Sequence, residues 1–272
     1  MDSVPNLKIM KLRAFSIIAA LAIYASAFGE RKAAQISYDT PDRCFAKISY
    51  PDDSISHPVV VWFHGGGLTG GKAKIPAELK DTEYVIVSAE YQLLPDVEID
   101  TCIDNAAKAI TWVFNNIEQY GGDPSKIFIA GHSAGGYLAS MVGLDKSRLA
   151  KYDIDADKIA GIIPFSGQAI THYEWRKIDK GFSPLKPTID EHAPLYYVRP
   201  DAPPYIIISG DRELELYGRY EENAYLWRML KLVGHPYVEI YELDGYNHGQ
   251  MVHPGFHILK NNIKKILENN EK

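Results

Sequence analysis

Cysteine is scarce: only Cys44 and Cys102 occur in 272 residues, with no CxxC pair and no histidine at ligand spacing. Thiol and metal chemistry built on such patterns therefore has no footing. In an exported chain the two could pair if their Cα atoms came within bridging distance; otherwise they are buried thiols. The sequence also lacks a Lys/Arg run that would track phosphates, and 29 basic against 35 acidic residues give a formal net charge of -6. Nucleic acid is thus not an expected partner. GxxxxGK[ST] is not present, so no nucleotide cradle of that type is expected. Internal repeats, low-complexity tracts and an apolar run of the ~20 residues that a membrane-spanning helix needs are missing too.

What is present begins with an unusual start. Lys8, Lys11 and Arg13 precede an apolar stretch from Ala14 to Tyr24, and Ala25-Ser26-Ala27 follows. Charged, apolar and small-residue regions in that order predict a secretory signal peptide over 1–27, export to the periplasm or the extracellular space, and no permanent membrane anchor. The remaining 28–272 has the length and the apolar content, 46% hydrophobic and 11% aromatic over the whole chain, for one domain with a sizeable core.

Apolar β-branched runs alternate with helical patterns through this region. Strands are predicted at Phe45–Tyr50, Val59–His64, Tyr84–Glu90, Ile127–Gly131, Ile159–Phe165, Tyr205–Ser209 and Val238–Leu243. Helices are predicted over 100–120, where Ile103, Ala106, Ala107, Ile110, Val113, Phe114 and Ile117 repeat at helical spacing, and over 134–144, 217–233 and 256–268. The alternation predicts a mostly parallel central sheet with helices on both faces. Residues 170–203 break the rhythm with five prolines and several aromatics, among them Tyr173 and Trp175, and read as a lid, a pocket wall or a passive excursion.

Ile127 to Gly136 runs IFIAGHSAGG, a strand leading through GxSxG into a helical pattern. That is the context of a nucleophile elbow: the turn is tight enough to demand small neighbours, Gly131 and Gly135, and it projects Ser133. The helix start that follows offers free amides and a positive dipole end. Upstream, the strand at Val59 ends in His64-Gly65-Gly66-Gly67, whose side-chain-free amides can approach a ligand. Gly66, Gly67 and Ala134 are the candidate donors to an oxyanion, and His64 reads as a brace of the loop.

A serine hydroxyl needs a base of pKa near 7, hence histidine. Of nine histidines, His248 lies in the loop after the last predicted strand, on the same sheet edge as Ser133. The third member should be a carboxylate that fixes the imidazole tautomer. Asp211, straight after the strand at Tyr205, stands in the expected order between serine and histidine and is the first choice. Glu213 and Glu215 share its loop, and Glu215 is the alternative.

With these motifs in place, the chain resembles the α/β-hydrolase superfamily, specifically hormone-sensitive-lipase-like and bacterial feruloyl- and acetyl-esterase-like carbohydrate esterases. The resemblance rests on HGGG at 64–67, AEYQL at 89–93, YGGDPSKI at 120–127 and GHSAGG at 131–136. His132 stands where many lipase-like members carry Asp, closer to the carbohydrate-esterase and kynurenine-formamidase branches. The resemblance implies a cofactor-free serine carboxylic-ester hydrolase with an acyl-enzyme intermediate, acting on acetyl or feruloyl groups of plant polysaccharides. Amide or peptide hydrolysis, including formamidase chemistry, uses the same groups; an inactive carbohydrate-binding homologue would keep the fold without the chemistry.

Overall fold

The computed structural model describes residues 30–270. The signal-peptide expectation for 1–27 lies outside them. Eight strands form one sheet: β1 (Arg31–Ser37), β2 (Phe45–Pro51), β3 (His57–Phe63), β4 (Val85–Ala89), β5 (Gly122–His132), β6 (Gly161–Phe165), β7 (Tyr205–Gly210) and β8 (Val238–Leu243). Their spatial order is β1-β2-β4-β3-β5-β6-β7-β8. The β1–β2 and β2–β4 pairs are antiparallel, and every pairing from β4 through β3 to β8 is parallel.

Parallel strands need crossovers, and the helices that make them must cover both faces of the sheet. The helices are α1 (Ile99–Asn116), α2 (Ala134–Leu144), α3 (Lys146–Ala150), α4 (Tyr173–Lys180), α5 (Arg219–Leu232) and α6 (Val252–Asn270). Two apolar layers result. Val59, Val61, Phe63, Ile127, Ile129 and Ile207 pack with α1, α2 and the buried leucines of α5, whereas Val60, Trp62, Phe128, Ile206 and Ile208 pack with Phe256, Leu259 and Ile263 of α6. Odd and even residues of one strand thus serve opposite layers, and the central strands read as unbroken apolar runs.

The predicted helix over 100–120 is helical from Ile99 to Asn116, tightens into a 3₁₀ turn and ends on Gly121 at φ 73, the left-handed stop that glycine allows. Strand β1 was not predicted, since RKAAQIS has little β-branched content and its residues are only partly buried at a sheet edge. Helix α6 starts at Val252, earlier than 256. Helices α3 and α4 are also additions; the latter is amphipathic but too short for its period to stand out. Cys44 and Cys102 are separate buried thiols. Burial pushes the Cys102 thiol up to about 12, and its Sγ lies 3.2 Å from the Gln92 carbonyl oxygen. No helix among the described residues is long and apolar enough to cross a membrane.

Candidate active site

Because β3 and β5 to β8 are parallel, the segments that follow them emerge at one edge, where α/β sheets bind ligands. Ser133 follows β5, His64 to Gly67 follow β3, Glu215 comes after β7 and His248 after β8. The elbow is held by backbone contact. A Cβ on Gly135 would sit 2.0 Å from the carbonyl oxygen of Phe63, and one on Gly131 would sit 2.5 Å from the backbone of Gly135. Only glycine permits that approach, and it throws Ser133 into φ 54, ψ -116. A non-glycine residue with positive φ is strained, and such strain gathers at functional sites.

Ser133 Oγ lies 2.9 Å from His248 Nε2, and His248 Nδ1 lies 2.7 Å from Glu215 Oε2. A carboxylate only accepts, so Nδ1 carries the imidazole proton and Nε2 is free to receive one from the serine. The Glu215 side chain is 1% exposed. Burial alone would raise its pKa, but hydrogen bonds from His248 and Ser166, the charge of His248 and the Gly210 amide bring it down to about 2.

The expectation for Asp211 is corrected by this geometry. Its carboxylate accepts the amides of Glu213 at 2.9 Å and Gly245 at 2.8 Å, which ties its own loop to the one carrying His248. The Glu215 amide donates to the Asp211 carbonyl at 2.9 Å, one turn on. From there the longer glutamate side chain reaches back under the sheet edge, against Gly210, whose amide it accepts at 3.0 Å. A Cβ at Gly210 would lie 2.8 Å from that carboxylate oxygen. Glu213 points to solvent at 86% exposure.

The glycine loop lies against the elbow, with the Cβ position of Gly65 3.4 Å from Ser133 Cβ. Among the described residues, none accepts a hydrogen bond from the amides of Gly66, Gly67 or Ala134, so these three donors are available to a ligand. His64 braces the loop: its ring stacks on Tyr91 at 4.3 Å, Nδ1 bonds the Gly65 carbonyl at 2.7 Å, and the Tyr91 hydroxyl donates to the His64 carbonyl at 2.7 Å. Behind them Glu90, its pKa held down against burial by His64, the Ala73 amide and Arg43, accepts that amide at 2.7 Å.

Two residues whose roles the sequence did not suggest complete the site. His132 donates from Nε2 to the His248 carbonyl at 2.8 Å and so holds the backbone of the base. Burial and the nearby His248 lower its pKa to about 4, so it is neutral at neutral pH. Ser166, after β6, donates its hydroxyl to Glu215 Oε1. Segment 170–203 is tied to the body: Thr171 bonds Asp190 at 2.6 Å, Tyr137 donates to the His192 carbonyl at 2.8 Å, and Arg199 donates to the carbonyls of Gly143 and Leu144. From it the Tyr173 hydroxyl reaches to 2.9 Å from the Cβ position of Gly67, while Trp175 packs beside His192 and Leu68 is buried. The Tyr173 and Tyr217 rings stand edge to face at 5.7 Å.

Comparison with known proteins agrees with this architecture. The model of the BD-FAE family matches residues 47–216. Esterase LipC of Mycobacterium tuberculosis is 27% identical over 218 residues, 71% of this chain and 51% of that protein. The chain spans about half or less of the length of the curated relatives it matches. Among solved structures, the native Est2 esterase of the planctomycete Thermogutta terrifontis superposes with a TM-score of 0.69 at 21% identity, covering 86% of this chain and 92% of that one. A truncated carbohydrate esterase from gut microbiota gives a TM-score of 0.71 at 15% identity, covering 88% and 97%. These likenesses establish the α/β-hydrolase fold, an eight-stranded, mostly parallel sheet flanked by helices.

Proposed function

The chain belongs to the BD-FAE family, and from that premise we propose that it is an exported serine carboxylic-ester hydrolase that removes acetyl or feruloyl groups from plant polysaccharides through an acyl-enzyme. The observation that carries the reading is the unbroken relay from Ser133 Oγ through His248 to Glu215, at 2.9 and 2.7 Å. Nε2 takes the serine proton as Oγ attacks the ester carbonyl, and the buried glutamate stabilises the imidazolium that forms. The tetrahedral oxyanion develops opposite the free amides of Gly66, Gly67 and Ala134, each worth ~3 kcal/mol of transition-state stabilisation by analogy with oxyanion donors elsewhere. His248 then protonates the leaving alcohol, and water resolves the acyl-enzyme by the same route.

Three features favour a glycan ester. One structural neighbour is a carbohydrate esterase from gut microbiota. The leader over 1–27 has the order of a signal peptide. Tyr217 and Tyr246 are 54% and 43% exposed, within two residues of Glu215 and His248, and exposed aromatic faces suit sugar rings and feruloyl groups alike. The test is hydrolysis of p-nitrophenyl acetate, acetylated xylan, feruloylated oligosaccharides and N-formylkynurenine by the full-length protein and by Ser133→Ala. The expected outcome is turnover of the esters, with a ~10⁶-fold loss of kcat in the variant. Wild-type turnover by Ser133→Ala would refute the mechanism, preference for the formamide would move the assignment to amide chemistry, and no turnover of any substrate would indicate a binding homologue.

A further inference from the structure

Ser166 is the first residue after β6, fully buried, and it takes a positive φ of 44 although glycine follows it immediately. A strained serine beside an available glycine calls for a reason in its side chain. Its backbone is gripped on both sides. The amide donates to the Ile208 carbonyl at 2.7 Å, and the carbonyl accepts from Arg219 Nη1. Arg219 is itself 1% exposed, with Nε 2.7 Å from Glu222 Oε1, and Asn223 donates to the neighbouring Gly167 carbonyl at 2.7 Å. A Cβ on Gly167 would come within 2.6 Å of the Gly136 backbone, so the turn also rests on the helix that follows the nucleophile.

With the backbone so fixed, the hydroxyl has one strong acceptor, Glu215 Oε1, since the carboxylate can only accept. The same oxygen receives the Gly210 amide at 3.0 Å, which leaves Oε2 to His248 Nδ1. A glutamate has three rotatable side-chain bonds, and two donors on one oxygen remove the freedom that would let the other swing away from the imidazole.

We infer that Ser166 is a positioning residue that locks the Glu215 carboxylate toward His248, and that Arg219 holds Ser166 in the conformation this requires. The inference rests on the reading of Glu215 as the acid partner of His248. A preorganised acceptor contributes to the rate through the imidazolium formed on the way to the transition state, so its loss falls on kcat and leaves KM alone.

The experiment is a double-mutant cycle on the full chain, with p-nitrophenyl acetate as substrate. Ser166→Ala and Ser166→Gly are each made in the wild type and in Glu215→Ala, with thermal unfolding followed for every variant. Ser166→Gly guards against a folding failure, because glycine adopts the left-handed conformation without strain. The expected result is a roughly 10- to 100-fold fall in kcat in the wild-type background with KM within about twofold, and less than about a twofold change in the Glu215→Ala background. Equal losses in both backgrounds, or none in either, overturn the role of Ser166 while leaving Glu215 in place. A Glu215→Ala protein as active as wild type overturns the reading of the acid itself, and this inference with it.

Discussion

The two sides of the site are built differently. The side of Ser133 is made of backbone: Gly135 and Gly131 pack against neighbouring main chain, Gly65 lies against the elbow, and the amides of Gly66, Gly67 and Ala134 have no hydrogen-bond acceptor among the described residues. The side of His248 is made of side chains from separate strand ends: Glu215 holds the imidazole, Ser166 holds Glu215, and His132 holds the His248 backbone carbonyl. Backbone construction tolerates almost no added atom. Side-chain construction tolerates atoms but depends on each hydrogen bond.

The sharpest way to expose that difference is to add the same methyl group on each side. Gly135→Ala drives a Cβ into the Phe63 carbonyl and displaces the end of β3 together with the glycine loop; a loss of about 3 kcal/mol in denaturant unfolding is expected, the upper end for overpacking. Gly245→Ala, in the loop of His248, meets nothing within 4 Å, so only the left-handed penalty of about 1 kcal/mol at φ 78 is expected. Equal destabilisation would remove the contrast.

A smaller effect tests the charge on the side-chain half. Glu215 titrates at about 2 when folded against an ordinary 4.5. A carboxylate held low stabilises the fold fully above its unfolded pKa, and that contribution fades as pH falls toward the folded value. Between pH 7 and pH 3 the wild type should therefore lose about 2 kcal/mol more stability than Glu215→Gln. Denaturant curves at both pH values measure it, and parallel losses would mean that Glu215 is not held as an ionised partner.

The smallest effect concerns the hydrogen bond from His132 to the His248 carbonyl. Removing it with His132→Ala should lower kcat about fivefold, since one buried hydrogen bond is worth roughly 1 kcal/mol, while KM for a small acetate ester stays put. Unchanged kcat would show that the base keeps its place without this support.

The same contrast explains what could be read from sequence. The elbow and the glycine loop are local: strand, tight turn and helix are contiguous, and glycines stand where backbone contact demands them, so Ser133 and the glycine turn beside it could be read from the sequence. The apolar runs in β3, β5 and β7 were legible for a related reason, because stretches buried on both faces are filled mostly by apolar residues. The acid was not legible, because the acid loop offers three carboxylates and chain order favours the first. Which one turns inward depends on the turn that Asp211 itself shapes and on Ser166 after another strand, neither of them visible in the local pattern. Ser166 carries no motif of its own, His132 fills the variable position of GHSAGG, and β1 went unseen because an edge strand buries too little to enforce alternation.

The decisive measurement compares two carboxylates four positions apart, by kcat/KM for p-nitrophenyl acetate in Glu215→Ala and Asp211→Ala, with both proteins shown to be folded. Glu215→Ala is expected to lose ~10³- to 10⁴-fold, as when a triad acid is removed, and Asp211→Ala less than about tenfold, as for a residue that shapes a loop. A large loss at Asp211 with Glu215→Ala nearly as active as wild type would contradict the relay through Ser133, His248 and Glu215.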